Sequence, residues 1–173
     1  MNTYTGKTTI SAGTLLFSST SSLYNGSTAS WTASNITTGS GAVIALAVGG
    51  SNGFTDSNIQ TIIGSGFFNF GTNNGMLAGS SIGFDTTNSG SAFVVTAGIK
   101  NTTYLGGGSV GLVKLGAGTL VLNTLQYYTG PTIIAGGTLQ VGGTSGGQLA
   151  ATNITNNAGL VLFTNGEIGR AHV

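Results

Sequence analysis

The chain has 173 residues, 39% hydrophobic and 4% charged, with 32 glycines, one proline, no cysteine and a net charge of +1. So much apolar surface with so little charge separates it from disordered low-complexity chains, and the lack of cysteine excludes a disulfide scaffold or a thiolate metal site. Near-neutrality leaves no basic patch to follow phosphates, so nucleic acid is excluded as a partner, and the isolated chain is expected to self-associate.

The first residues, Met1-Asn2-Thr3-Tyr4-Thr5-Gly6, have neither the basic nor the apolar region of a signal peptide. They start inside a repeated word, so the beginning reads as a cut through a longer protein. The longest apolar run, Ala42–Val48, has the length of a buried strand, far below the roughly 18 residues of a membrane span. No membrane contact is expected of this segment.

Strands are expected over Thr8–Ile10, Thr14–Phe17, Ala42–Val48, Phe67–Phe70, Ser81–Phe84, Ala92–Thr96, Val110–Leu115, Gly118–Leu122, Thr132–Ile134, Thr138–Val141 and Leu160–Phe163, separated by Gly, Asn, Ser and Thr. Alternation in Thr119-Leu120-Val121-Leu122 and Thr138-Leu139-Gln140-Val141 buries one face. Leu120, Leu122, Ile134, Leu139, Val141 and Val161 are predicted to point inward. One segment breaks the β texture: Thr55 or Asp56 can cap a helix with apolar Ile59, Ile62 and Ile63, ending at Gly64. Ser18 to Ser30 and Gly142 to Gly147 read as surface loops.

The chain repeats itself. Tyr4-Thr5-Gly6-Lys7-Thr8-Thr9-Ile10-Ser11-Ala12-Gly13-Thr14-Leu15 returns 124 residues later as Tyr128-Thr129-Gly130-Pro131-Thr132-Ile133-Ile134-Ala135-Gly136-Gly137-Thr138-Leu139. Asn35-Ile36-Thr37 echoes as Asn153-Ile154-Thr155. Gly-Thr-Leu words at Gly118 and Gly137 lie 19 residues apart, the length of one coil of a β-solenoid. The same glycine-rich corners also suit hairpins stacked into a sandwich.

Taken as a whole, Leu112-Val113-Lys114-Leu115-Gly116-Ala117-Gly118-Thr119-Leu120-Val121-Leu122 with Tyr128-Thr129-Gly130, Thr132 and Gly137-Thr138-Leu139 resembles the autotransporter-associated β-strand repeat. The motif residues are Lys114, Gly116, Gly118, Thr119, Leu120, Tyr128, Gly130, Thr132, Gly137, Thr138 and Leu139. Tyr127, where such repeats usually carry Asn, and Pro131 depart from the pattern. The resemblance implies an all-β, right-handed parallel β-helix within a long secreted or surface-displayed bacterial passenger, with a short helix near 56–63. It implies an extracellular or cell-surface location, and no catalytic, cofactor or metal residues, because the motif is structural. On this reading residues 1–166 are solenoid cut at both ends: a partial repeat over 2–17, a spacer over 18–109, a full repeat over 110–142 and a following rung over 143–166. The run Glu167-Ile168-Gly169-Arg170-Ala171-His172-Val173 back-translates as GAG-ATC-GGA-AGA-GCA-CAC-GTC, like the start of a common sequencing adapter, and reads as adapter read-through over 167–173.

Several words imitate chemistry. Gly6-Lys7-Thr8 resembles the end of a phosphate loop, but its first glycine would fall at Met1 and a β run follows. Gly49/Ser51/Gly53 and Gly79/Ser81/Gly83 imitate nucleophile elbows, yet the only histidine is His172 in the suspect tail. Asp56 and Asp85 are better read as a helix cap and a turn residue than as paired glycosidase carboxylates. Lys114 is either solvated on the outer face or bonded to neighbouring carbonyls. Tyr127, Tyr128 and Trp31 suit a sugar platform, but Tyr4 and Tyr128 share a repeat position, which favours stacking between rungs.

These readings favour a structural or adhesive rod segment over a polysaccharide lyase or glycosidase on a β-helix. Its partners are neighbouring rungs of the same parent protein, with surface glycans or other cells as targets of adhesion. Ice binding would need long Thr ladders, and Thr3/Thr5 do not make one.

Overall fold

Runs of three to five alternating residues between glycines cannot bury an apolar face alone, so each must lie against a copy of itself. The computed structural model describes residues 2–64, 74–102, 108–143, 146–150, 153–157 and 159–163. The strand expected over Phe67–Phe70 and the tail Glu167–Val173 lie outside these residues.

The strands follow one another as β1 (Thr8–Ile10), β2 (Thr14–Phe17), β3 (Ile36–Thr38), β4 (Val43–Ala47), β5 (Gly75–Met76), β6 (Ser81–Asp85), β7 (Phe93–Val95), β8 (Gly111–Leu115), β9 (Thr119–Leu122), β10 (Leu125–Gln126), β11 (Thr132–Ile134), β12 (Thr138–Val141), β13 (Gln148–Leu149), β14 (Ile154–Asn156) and β15 (Leu160–Phe163). Every pairing between these strands is parallel. This pattern excludes the hairpin sandwich and makes the chain a parallel β-solenoid. One face stacks β1-β3-β5, with β10-β13 further along. Between these two sheets the Ile99 carbonyl accepts from the Tyr127 amide at 2.8 Å. The second face is a six-stranded sheet, β2-β4-β6-β8-β11-β14, and the third is β7-β9-β12-β15.

The interior is built of ladders, one residue per coil. Ile44, Ile82, Leu112 and Thr132 stack in register on the second face, and so do Leu46, Phe84, Lys114 and Ile134. The third face contributes Phe93, Leu120 and Leu139 in one ladder and Val95, Leu122 and Val141 in another. All these side chains are buried, and each Leu, Ile or Phe contributes about 1.5–3 kcal/mol. Leu120, Leu122, Ile134, Leu139 and Val141 therefore point inward as expected. Val161 pairs with Leu139 through the backbone.

Towards its start the solenoid carries helical elements. Ser18 to Ser30 is no simple surface loop: three 3-10 turns, Thr20–Ser22, Tyr24–Gly26 and Thr28–Ser30, bury Leu23 and Tyr24. Helix α1 (Asp56–Gly64) buries Ile59, Ile62 and Ile63. The Thr55 hydroxyl accepts from the Asn58 amide at 3.2 Å while Asn58 Oδ1 accepts from the Thr55 amide at 2.9 Å, a reciprocal cap. Trp31 packs on Phe54 at 5.5 Å between ring centroids.

The two copies of the repeated word occupy different faces. Thr8–Ile10 lies on the first face and Thr14–Phe17 on the second, whereas their counterparts Thr132–Ile134 and Thr138–Val141 lie on the second and third. Gly13 and Gly137 both turn the chain at positive φ, +68° and +65°. The word thus encodes a corner and the strand after it, which fits any edge of the prism. For this reason Tyr4 and Tyr128 do not stack on one another.

Candidate functional site

The repeat motif converges on the corner between the second and third faces. Lys114 sits in phase with Leu112 on β8, so alternation turns it inward, between Phe84 and Ile134 of neighbouring coils. It is 0% exposed. Its Nζ donates to the carbonyls of Leu115 at 2.7 Å, Gly116 at 2.8 Å and Gly136 at 2.9 Å. Three N–H groups thus meet three acceptors, two on its own corner and one on the next coil. Of the two readings of Lys114, bonding to carbonyls is the one realised. Burial pushes its amine down from 10.5 to about 8, and the Asp85 carboxylate opposes that fall.

Gly116 shapes this corner. Its φ is +74°, and a Cβ there would collide with Asp85 Oδ1 and Thr87, so glycine alone fits. Gly118 offers its carbonyl to the Thr138 amide at 3.1 Å. Thr119 pairs with Thr138 and Leu120 with Leu139 across adjacent coils. Gly137 packs against the Gly118 carbonyl.

The other half of the motif lies at the preceding corner. Tyr128 is fully buried, and its hydroxyl lies 2.7 Å from Thr132 Oγ1. That burial raises the phenol well above its usual value, with the Thr132 bond opposing. Gly130 donates its amide to the Val110 carbonyl at 2.9 Å. All eleven motif residues therefore act on backbone geometry or core packing, at two successive corners.

Sequence reasoning missed other polar side chains with the same office. Gln126 is buried, accepts from the Ile99 amide at 2.9 Å and donates to the Thr124 carbonyl at 2.9 Å. Asn101 Oδ1 accepts from the amides of Val110 at 3.1 Å and Thr129 at 2.8 Å. A single Gln or Asn in such a stretch gives no sequence signal for this. What identifies them is a coil whose backbone needs a partner at that height.

The residues that imitate chemistry are dispersed. Asp85 is a turn residue as expected: its Oδ1 accepts from the Thr87 amide at 2.9 Å and hydroxyl at 2.6 Å. Asp56 departs from expectation, because Thr55 supplies the cap. Asp56 instead accepts from the Thr96 amide at 2.9 Å, the Thr96 hydroxyl at 2.6 Å and Gln60 at 2.8 Å. Thr96 directly follows β7, which among the described residues is the edge of its sheet, so this carboxylate occupies an amide at that open edge. The two Asp share no hydrogen-bond partner. Ser81 lies in β6 and Ser51 in an exposed turn. Trp31 and Tyr128 are buried while Tyr127 is 52% exposed, so these three form no common platform. Among the described residues no group of three His, Cys, Asp or Glu is placed to hold a metal ion, and no helix is long and apolar enough to cross a membrane.

Residues 2–17 and 112–141 match the family Passenger-associated-transport-repeat. These segments contain both copies of the repeated word and the Lys114 corner. No curated protein and no solved structure matches the chain.

Proposed function

We propose that this chain, with passenger-associated transport repeats over 2–17 and 112–141, is a structural and adhesive rod segment of a secreted or surface-displayed passenger, with no chemistry of its own. The observation that carries this reading is the fate of the motif's polar groups. Lys114 and Tyr128, the residues most able to act on a substrate, are buried and committed, Lys114 to carbonyls of its own corner and of the next coil and Tyr128 to Thr132. Asp56 and Asp85 are likewise engaged, by Thr96 and Gln60 and by Thr87. General acid–base work needs such groups free at a substrate.

In a rod of this kind each coil rests on its neighbours, and coils before and after continue the ladders. Outer faces of Ser, Thr and Asn meet surface glycans or other cells. Two measurements test the two halves of the reading. Pulled from both ends in a force instrument, the chain should unravel coil by coil, and rupture in one global step would overturn the rod. Incubated with a panel of soluble polysaccharides, it should give no turnover. Turnover that disappears in Asp56→Asn/Asp85→Asn would establish an enzyme instead.

A further inference from the structure

At the start of the solenoid, a cavity of about 340 Å³ opens between the first residues and the 3-10 turns. Its rings are Tyr4 and Tyr24, tilted at 47° with centroids 4.6 Å apart. Tyr24 is held from several sides. Its hydroxyl lies 2.9 Å from the Gly6 carbonyl and 2.8 Å from the Asn35 carbonyl, and accepts from the Thr8 amide at 3.1 Å. The Tyr4 hydroxyl accepts from Thr8 Oγ1 at 3.1 Å. Both phenols are thus occupied within the protein; Tyr24 is buried and backs Tyr4, whose half-buried ring keeps an apolar face towards the cavity.

Backbone strain is concentrated at the same place. Tyr24 and Asn25, at φ 49° and 51°, are the non-glycine residues with positive φ among the described residues, and Gly26 follows at 76°. Asn tolerates this region, but for a bulky tyrosine it is uncommon, and such outliers collect where a side chain must be held in one place. The left-handed turn sets the Tyr24 ring beside Tyr4 and puts Asn25 on the wall of the cavity. The Asn25 amide makes no hydrogen bond to the described residues, nor do the hydroxyls of Thr3 and Thr5, which also line the cavity. Neither a carboxylate nor a cation lines it.

We infer that this cavity is a binding site for a short neutral saccharide, with the half-buried Tyr4 ring, backed by the buried Tyr24, meeting the C–H face of a sugar ring and Asn25, Thr3 and Thr5 bonding its hydroxyls. The combination is specific. Rigid aromatic surface suits the apolar face of a pyranose, open amides and hydroxyls suit its rim, and the absence of charge disfavours phosphates and uronic acids. The volume lies within the range of small-ligand sites, about 300–1,000 Å³. The inference rests on the adhesive half of the proposed function and names the chemistry of its partner.

The test is a titration of the isotope-labelled full chain with glucose, galactose, mannose, N-acetylglucosamine and their β-linked disaccharides, followed by amide chemical shifts. At least one should give a saturable response confined to residues 3–5, 24–27 and 35. Asn25→Gly keeps the positive φ that glycine accepts freely and deletes the amide. It should weaken that response about tenfold or more. Tyr4→Leu, which keeps apolar bulk without the aromatic ring, should also weaken it. No saturable response to any neutral sugar, a response elsewhere on the surface, tighter binding of glucuronic acid, or an undiminished response in folded Asn25→Gly and Tyr4→Leu would each overturn the site. Coil-by-coil unravelling under force is read independently, so failure here leaves the rod standing.

Discussion

The Tyr128 hydroxyl and Thr132 Oγ1, one turn of sequence apart, meet at 2.7 Å inside the solenoid. The same pair recurs at the other end of the chain, where Thr8 Oγ1 donates to the Tyr4 hydroxyl at 3.1 Å on a different face. What the repeat preserves is therefore a local tie across a corner. It lets a polar Thr stand in an apolar ladder, between Leu112 and Ile154, without an unpaired hydroxyl.

Tyr128→Phe should cost about 1–3 kcal/mol, because it leaves the Thr132 hydroxyl buried without its partner. Adding Thr132→Val should recover part of that loss, since both polar groups are then gone. Urea denaturation of the two singles and the double gives the coupling. Additive losses would show that the pair does not act as a unit.

Lys114 makes stability depend on pH in a definite direction. Its folded value of about 8 lies below the 10.5 of an ordinary lysine, with burial as the main cause. Between those values the unfolded chain holds a proton that the folded chain has released, so stability should rise as pH rises through this window. The full span corresponds to about 3 kcal/mol at most. Tyr128, with its phenol raised, acts in the opposite sense at high pH. The informative quantity is therefore the difference between wild type and Lys114→Met, in which the Tyr128 contribution cancels. A difference that stays flat from pH 7.5 to 10.5 would show that Lys114 keeps its ordinary affinity for protons.

Leu120→Ala removes a fully buried side chain from the ladder Phe93–Leu120–Leu139 and should cost about 2–5 kcal/mol. In a stacked architecture the damage spreads to neighbouring coils first. Amide exchange should accelerate in β7, β9 and β12 before it does in β2 and β4. Uniform acceleration would mark one cooperative unit.

Asp56→Ala should expose the edge of β7. Asp56 accepts the Thr96 amide at 2.9 Å, and α1 packs against that strand. Loss of the carboxylate should accelerate exchange at Thr96 at least tenfold, roughly 1.4 kcal/mol of local protection. Asp56→Asn, which retains one carbonyl acceptor, should fall between. Unchanged exchange at Thr96 in the Ala variant would show that the carboxylate does not guard the edge.

Much of this architecture was legible in the residues. Val43–Ala47, Thr119–Leu122 and Thr138–Val141 announce themselves by apolar alternation or length, and α1 by its cap and its terminal glycine. The strands that escaped, Ile36–Thr38, Gly75–Met76, Leu125–Gln126, Gln148–Leu149 and Ile154–Asn156, carry at most two apolar residues each. They are strands because the coil beside them fixes their register, a non-local fact that no window of sequence contains. The motif was legible as a set of words, but the words alone leave Lys114 open between an outer face and bonds to carbonyls. The face each copy occupies was not legible, because a Gly corner serves every edge alike. Asp56 was misassigned since its partner, Thr96, is 40 residues away.

The remaining prediction concerns association. Strand β2 pairs with β4 along one edge, and among the described residues no strand pairs with its other edge. Leu15 and Leu16 on that strand are 39% and 42% exposed, although Leu15 stands in the ladder that continues through Ile44, Ile82 and Leu112. A strand edge with open amides and carbonyls beside apolar side chains is a template for another strand, and a net charge of +1 provides little repulsion. The purified chain should therefore associate as its concentration rises in sedimentation velocity. Leu15→Lys/Leu16→Lys places like charges on that edge, where two copies would meet, and should shift the distribution towards monomer with little loss of stability. Salt should partly restore association in the variant by screening those charges. A wild-type chain that sediments as one monodisperse monomer at high concentration would show that the edge is protected by means other than pairing.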